Sequence, residues 1–247
     1  MANKPKFELI TEEEAFVVVN KPAGLLSIPD RFDANLPSLK QLLRERFGEI
    51  YTVHRLDRDT SGVMCFARTT DSHRILSTQF SNHEPEKHYL ALVEGTPNAE
   101  TGLIEKPLIE DPRRPGRMTV ANKNGLAART HFQIVEHFLD FTVLEVRIET
   151  GRTHQIRVHL QSIGQPIVAD PLYGRRAGLF LSAIKGRKYR SGKGHEERPL
   201  MGRTALHASE LSFTHPTTGE LLKFTAQPPK DFRATLQQLR KWNAPRS

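Results

Sequence analysis

The segment His54-Arg55-Leu56-Asp57-Arg58-Asp59-Thr60-Ser61-Gly62 sets one carboxylate, Asp57, between two arginines and closes in turn-forming residues. Positive neighbours favour an ionised carboxylate, and an ionised carboxylate is a usable nucleophile. The same arginines could grip a phosphate-bearing substrate beside it. A surface turn laced with solvated ion pairs has the same composition, so the segment alone leaves both readings open.

The elements that must hold this turn show in the hydrophobic pattern. Phe16-Val17-Val18-Val19 predicts a strand, stopped by Asn20-Lys21-Pro22-Ala23-Gly24. Leu39, Leu42, Leu43 and Phe47 recur at helical spacing, with Gly48 where the helix would end. Residues 63–67 read as a buried strand, which makes Cys65 a structural thiol. Ile75, Leu76 and Phe80 predict a short helix begun near Asp71, and residues 88–93, 128–135 and 141–148 predict further strands. Thr153 is suited to cap a helix with Ile156, Leu160 and Ile163 on its inner face and Gly164 at its end. Residues 205–213 and 221–226, joined by His215-Pro216-Thr217-Thr218-Gly219, predict a hairpin; Phe232, Leu236 and Leu239 mark a closing helix.

Strands and helices mix without regular alternation, which argues an α+β fold with a mixed, largely antiparallel sheet flanked by helices and loops. No linker divides residues 1–247, so a single domain is expected. The exception to clear patterning is residues 175–203, rich in Gly, Lys and Arg, which read as a long exposed loop.

Lys and Arg number 36 against 28 Asp and Glu, a formal net charge of +8. That excess favours a polyanionic partner; nucleic acid and an acidic membrane both satisfy it. The single cysteine excludes an internal disulfide framework and fits a reducing compartment. Residues 1–14 carry no apolar core of signal-peptide length, and no stretch approaches a membrane span. A soluble, cytoplasmic protein, monomeric and without a membrane partner, is the expectation.

Set beside four other segments, the Arg-Leu-Asp turn becomes specific. These are Val19-Asn20-Lys21-Pro22-Ala23-Gly24-Leu25, Lys87-His88-Tyr89-Leu90-Ala91-Leu92-Val93, Gly151-Arg152-Thr153-His154-Gln155-Ile156-Arg157-Val158-His159 and Arg203-Thr204-Ala205-Leu206-His207-Ala208. In this order, over residues 16–228, the chain resembles the RluA family of RNA pseudouridine synthases. The resemblance implies isomerisation of uridine in ribosomal or transfer RNA, with the base detached, rotated and rejoined through carbon, and with no added cofactor. It implies that Asp57 is the nucleophile acting on a flipped-out uridine. Tyr89 would stack on the uracil and assist proton removal through its hydroxyl. Arg157 would pair with the aspartate, and Arg55 would help displace the base and support the opened RNA. Leu206 would wall the pocket. Many relatives carry a small RNA-binding domain before the catalytic one; about fifteen residues precede the first expected strand here, so recognition of a stem-loop by the catalytic domain and its insertions is expected. Within 175–203, Arg187, Lys188, Arg190 and Lys193 are candidate RNA backbone contacts, with Tyr189 as a stacking surface.

Other chemistries fail on spacing. His83-Glu84 precedes Pro85 and lacks a second histidine four positions on, and His154 and His159 fall on different helix faces, so no metal site is expected. Residues 186–194 lack the second glycine and the Ser or Thr of a phosphate loop. Asp57 and Asp59 alternate along an extended segment, which is poor geometry for a glycosidase pair. Two competing classes remain: a non-catalytic RNA-binding or RNA-folding protein on the same scaffold, and a hydrolase or lyase of free nucleosides. Asp57, Tyr89 and Arg157 together weigh against the first, and the basic charge against the second.

Overall fold

Ser38 opens the first helix because its hydroxyl accepts the Gln41 amide while the Gln41 side chain accepts the Ser38 N–H, a reciprocal cap. Such local rules set most of the elements in this computed structural model, which describes residues 7–190 and 196–245. The first half of the chain carries β1 (Glu8–Glu12), β2 (Phe16–Lys21), α1 (Leu39–Phe47), β3 (Tyr51–Thr52), β4 (Ser61–Ala67), α2 (Thr70–Ser81) and β5 (Glu86–Glu94). There follow β6 (Thr101–Glu105), β7 (Leu108–Glu110), β8 (Met118–Val120), β9 (Arg129–His137) and β10 (Phe141–Ile148). The chain ends through α3 (Gln155–Ser162), α4 (Leu181–Lys185), a 3-10 turn (Gly186–Lys188), β11 (Leu206–Thr214), β12 (Leu221–Thr225) and α5 (Lys230–Trp242). The fold is α+β, with a mixed sheet.

The chain forms two compact units. The first comprises Met1–Tyr89 and His207–Pro228. Its strands run β1-β2-β4-β11, with β3 on β4 and β12 on β11. All pairings are antiparallel except β4 with β11, which run parallel at Ser61–His207 and Gly62–Ala208. Phe16, Val18, Val63, Cys65, Leu76 and Phe213 build its core. Gly62 has φ +124°, and a Cβ there would lie 2.1 Å from the Ala208 carbonyl oxygen, so only glycine lets the two backbones meet.

The second unit comprises Leu90–Leu206 and Pro229–Ser247. Within it β5, β10, β9 and β6 lie side by side, and β7 pairs with β8. Leu108, Ala128, Val158 and Tyr173 form a small cluster beneath α3.

Several expectations change. Thr153 does not cap α3: the N-cap is His154, in the left-handed region at φ 54°, and makes no side-chain cap. The start of that helix is held instead by Gln155, whose Oε1 accepts Thr150 Oγ1 at 2.8 Å and the Arg152 N–H at 3.0 Å. The helix from Asp71 begins one residue earlier, capped by Thr69, and runs twelve residues. A strand, β1, precedes the first expected one. Residues 175–190 and 196–203 are not a bare loop: Leu179, Ile184 and Met201 are buried, and Leu179 bridges Met201. Three apolar anchors at irregular spacing hold a segment that periodicity alone reads as unpatterned.

Candidate active site

In the first unit, Asp57 sits in an irregular stretch whose neighbours are tied down through their backbones. The Ser27 hydroxyl donates to the Leu56 carbonyl at 2.6 Å and accepts the Leu56 N–H at 3.1 Å. On the other side, the fully buried Lys21 ammonium reaches the carbonyls of Leu25 (2.7 Å), Pro22 (3.0 Å) and Arg58 (3.0 Å). The Arg58 carbonyl also accepts the Gly24 N–H at 2.9 Å, and Arg58 Nε donates back to the Gly24 carbonyl at 3.2 Å. Thr60 N–H closes the turn on the Asp57 carbonyl at 3.2 Å. The chain flanking Asp57 is thus fixed while its own side chain remains half-buried. Arg55 and Arg58 are exposed, so their charge faces the solvent from which a polyanion would approach.

Below the turn, the Ser61 hydroxyl lies 3.0 Å from His207 Nδ1, and His207 Nε2 lies 3.0 Å from the Ala226 carbonyl. A carbonyl can only accept, so His207 Nε2 carries a proton, and in the neutral ring Nδ1 accepts from Ser61. His54 at the head of the motif is structural: its Nε2 accepts the Cys65 N–H at 3.0 Å and its ring stacks on Phe80 at 4.6 Å. Burial first, and the Lys87 charge second, push it down to about 3. It is a neutral acceptor at physiological pH.

Tyr89, on β5, is buried. Burial first, and the Asp57 carboxylate second, hold its phenol above the ordinary range. Tyr89 therefore feels the charge of Asp57 and keeps its proton at neutral pH, as a donor rather than a base.

In the second unit, Arg157 is buried on α3 and grips Asp170 with two bonds, Nε to Oδ2 at 2.6 Å and Nη2 to Oδ1 at 2.8 Å. Asp170 Oδ1 also accepts the N–H groups of Leu172 (2.9 Å) and Tyr173 (3.1 Å). The guanidinium lies 5.0 Å over the Tyr173 ring, whose hydroxyl accepts the Met118 N–H at 2.8 Å and meets His154 Nδ1 at 2.9 Å. Arg157 is thus a buried, oriented cation and not an exposed helix arginine. Leu206, also of this unit, is buried.

Sequence reasoning missed Lys21, Ser27, Asp170 and Tyr173. Lys21 had a signal, as a charged residue closing the apolar run of β2. Asp170 had a weaker one, an Asp-Pro turn dipeptide; nothing local marks Ser27.

The basic segment divides. Arg175 donates to the Gly164 carbonyl at 3.1 Å, Arg176 pairs with Glu94 at 3.1 Å, and Arg203 pairs with Asp231 at 2.7 Å. Tyr189 hydrogen-bonds Glu197, which also accepts the Ser182 N–H at 2.8 Å, so its hydroxyl is a tether for the segment. Arg187, Lys188 and Arg190 are exposed. Lys193 lies outside the described residues. Among the described residues no group of His, Cys, Asp and Glu could hold a metal ion, and no helix is long and apolar enough to cross a membrane.

Residues 15–162 match the model of a family described as RNA pseudouridylate synthase. The chain is 36% identical to the dual-specificity RNA pseudouridine synthase RluA of Escherichia coli K12, over 93% of this chain and 95% of that protein. It is also 36% identical to the ribosomal large subunit pseudouridine synthase D of Nitrosomonas europaea, over 97% of this chain and 67% of that protein. Among solved structures, human RNA Pseudouridylate Synthase Domain Containing 4 is similar in fold, with a TM-score of 0.73 at 24% identity over 94% of this chain and 93% of that one.

Proposed function

We propose that Asp57, Tyr89 and Arg157 carry out uridine isomerisation in this chain, which belongs to the RNA pseudouridylate synthase family. The enzyme is an isomerase acting on RNA. The N1–C1′ bond of uridine breaks, a C5–C1′ bond forms, the C5 proton leaves and N1 gains one, so nothing is consumed. Asp57 is the nucleophile that detaches the base. The pinned backbone on either side holds its carboxylate ready without reorganisation at the moment of reaction. Tyr89 offers its ring to the uracil and a protonated hydroxyl as hydrogen-bond donor in the proton-transfer step. Arg157, oriented by Asp170, supplies the positive charge that the reaction needs. Arg55 supports the RNA as the base leaves the stack, and Leu206 supplies an apolar wall. Phosphates of the backbone fall to Arg187, Lys188, Arg190 and Lys193.

The observation that carries this reading is the Asp57 turn, pinned through Leu56 and Arg58 on either side of a half-buried carboxylate whose charge helps hold the phenol of the buried Tyr89 above its ordinary range. The substrate is a ribosomal or transfer RNA stem-loop, and the enzyme works in the cytoplasm as a monomer. A family match that runs continuously from residue 15 to 162 supports a single catalytic domain. A non-catalytic RNA chaperone would have no need of a nucleophile so carefully held.

Pseudouridine mapping across cellular RNA, with and without the protein and with Asp57→Asn, tests the assignment. The amide keeps the size of the side chain, so folding and RNA binding persist. Turnover should fall by more than about a thousandfold, as on loss of a covalent nucleophile. Residual turnover within about tenfold of wild type, more than a missing nucleophile allows, removes Asp57 from the role. Identical maps with and without the protein would overturn the activity itself.

A further inference from the structure

At the C-terminal end of α5, Trp242 is ringed by three ammonium groups: Lys185 at 4.7 Å, Lys241 at 5.3 Å and Lys188 at 5.8 Å from the indole centroid. The cluster is built. Asn243 is buried, and its amide bonds Asp140 Oδ2 at 2.9 Å while its carbonyl accepts the Leu139 N–H at 2.9 Å, which fixes the residue after the indole. From the other side, Ile184 is buried and holds α4 beside α5.

Three nearby arginines are spent on carboxylates: Arg203 on Asp231, Arg240 on Glu136, Arg176 on Glu94. Among the described residues, Lys185, Lys188 and Lys241 have no carboxylate in ion-pair range. The helix dipole welcomes a cation at this terminus, and each cation–π contact stabilises a little. Three like charges within about one Debye length nevertheless repel one another, and the arrangement attracts an anion.

We propose that Trp242, Lys185, Lys188 and Lys241 form an accessory RNA-docking site. An unpaired base stacks on the indole, displacing an ammonium from the ring face, and the flanking phosphates take up the lysines. The exposed Arg187 on the same 3-10 turn extends the basic track. The chemistry favours nucleic acid over lipid, because the apolar residues of α5, Phe232, Leu236 and Leu239, are buried and leave only the indole to insert. The site deepens the proposed RNA-modifying function and rests on it for its partner.

Trp242 is the only tryptophan in the chain, so intrinsic emission reports this site alone. The intact protein is titrated with an unstructured oligouridylate and with a stem-loop RNA, and binding is followed in parallel by anisotropy of labelled RNA. Emission should change saturably, with the same midpoint as anisotropy. Trp242→Ala should weaken binding by about tenfold, in the range of one lost base stack, and Trp242→Phe should recover most of it. The combined Lys185→Ser, Lys188→Ser, Lys241→Ser variant, all surface changes, should flatten the log-affinity against log-salt slope by about 2. Emission unchanged at RNA saturation overturns the proposal. So does wild-type affinity and slope in the lysine variant, or a response to acidic peptide or anionic vesicles that RNA does not elicit. If RNA shifts the emission but the wild-type enzyme forms no pseudouridine, the docking site stands and the activity fails; the reverse outcome removes the site alone.

Discussion

Leu56 and Arg58, on either side of Asp57, are held through their backbones by Ser27 and Lys21, whereas Arg157 is held through its own guanidinium by Asp170. The difference follows from what each group must do. The reactivity proposed for Asp57 needs a fixed backbone, and the fold secures the chain on either side of a half-exposed side chain. A buried arginine has to be desolvated, which is costly without a partner, so the fold supplies a carboxylate and fixes it with two further N–H groups. Scaffolding by main-chain ties should therefore fail softly, and scaffolding by a buried ion pair should fail hard.

The largest effect is expected at the ion pair. Asp170→Asn takes the Asp170 charge from the buried Arg157 guanidinium and should lower unfolding free energy by about 3–5 kcal/mol, measured in urea. A loss under about 1 kcal/mol would mean that Arg157 finds compensation elsewhere and that the contrast is overstated. Arg157→Lys restores charge without the planar fork and should recover activity only in part.

Next comes Tyr89→Phe, which keeps the ring. Turnover should fall about a hundredfold with little change in RNA affinity, as for a positioned hydroxyl in proton transfer. Parallel losses in both would show that Tyr89 only binds.

Ser27→Ala removes the hydroxyl that joins the Leu56 N–H and carbonyl. A cost of about 1–3 kcal/mol in unfolding free energy is expected, with turnover reduced more than RNA affinity because the Asp57 turn loosens. Unaltered stability and turnover would show that Ser27 does not position the turn.

The last effect, the smallest near neutral pH, is in the pH dependence of stability. His54 is held near 3 in the folded protein, mainly by burial, against about 6.5 when unfolded. Between those values the unfolded chain binds a proton that the folded chain refuses, so stability is full above the upper value and is lost as pH falls. The slope from this group is at most about 1.4 kcal/mol per pH unit. His159, pushed down by burial, adds in the same sense. His54→Gln should flatten the profile between pH about 3 and 6.5, and an unchanged profile would assign the slope to other groups.

The sequence by itself determined β2, β4, β11 and β12 of the first unit, the Asp57 turn and the closing helix. Periodicity is a property of consecutive residues: Phe16 to Val19 must be a buried strand in any fold, and Phe232, Leu236 and Leu239 must share a helix face. The Arg-Leu-Asp motif is legible because its residues are consecutive, whereas the approach of Gly62 to the Ala208 backbone is not. What lies between distant residues was not legible. Asp170 stands thirteen positions from Arg157, Ser27 twenty-nine from Leu56, and no local pattern records either bond. Thr153 looked like a cap because its type is right, yet Gln155 holds that helix start from inside the fold. In residues 175–203, composition counted nine cations alike; only the tertiary structure separated Arg175 and Arg176, bound to a carbonyl and a carboxylate, from Lys185 and Lys188, turned toward Trp242. Charge is written in the sequence, but whether a charge is already neutralised depends on which residues folding brings within reach.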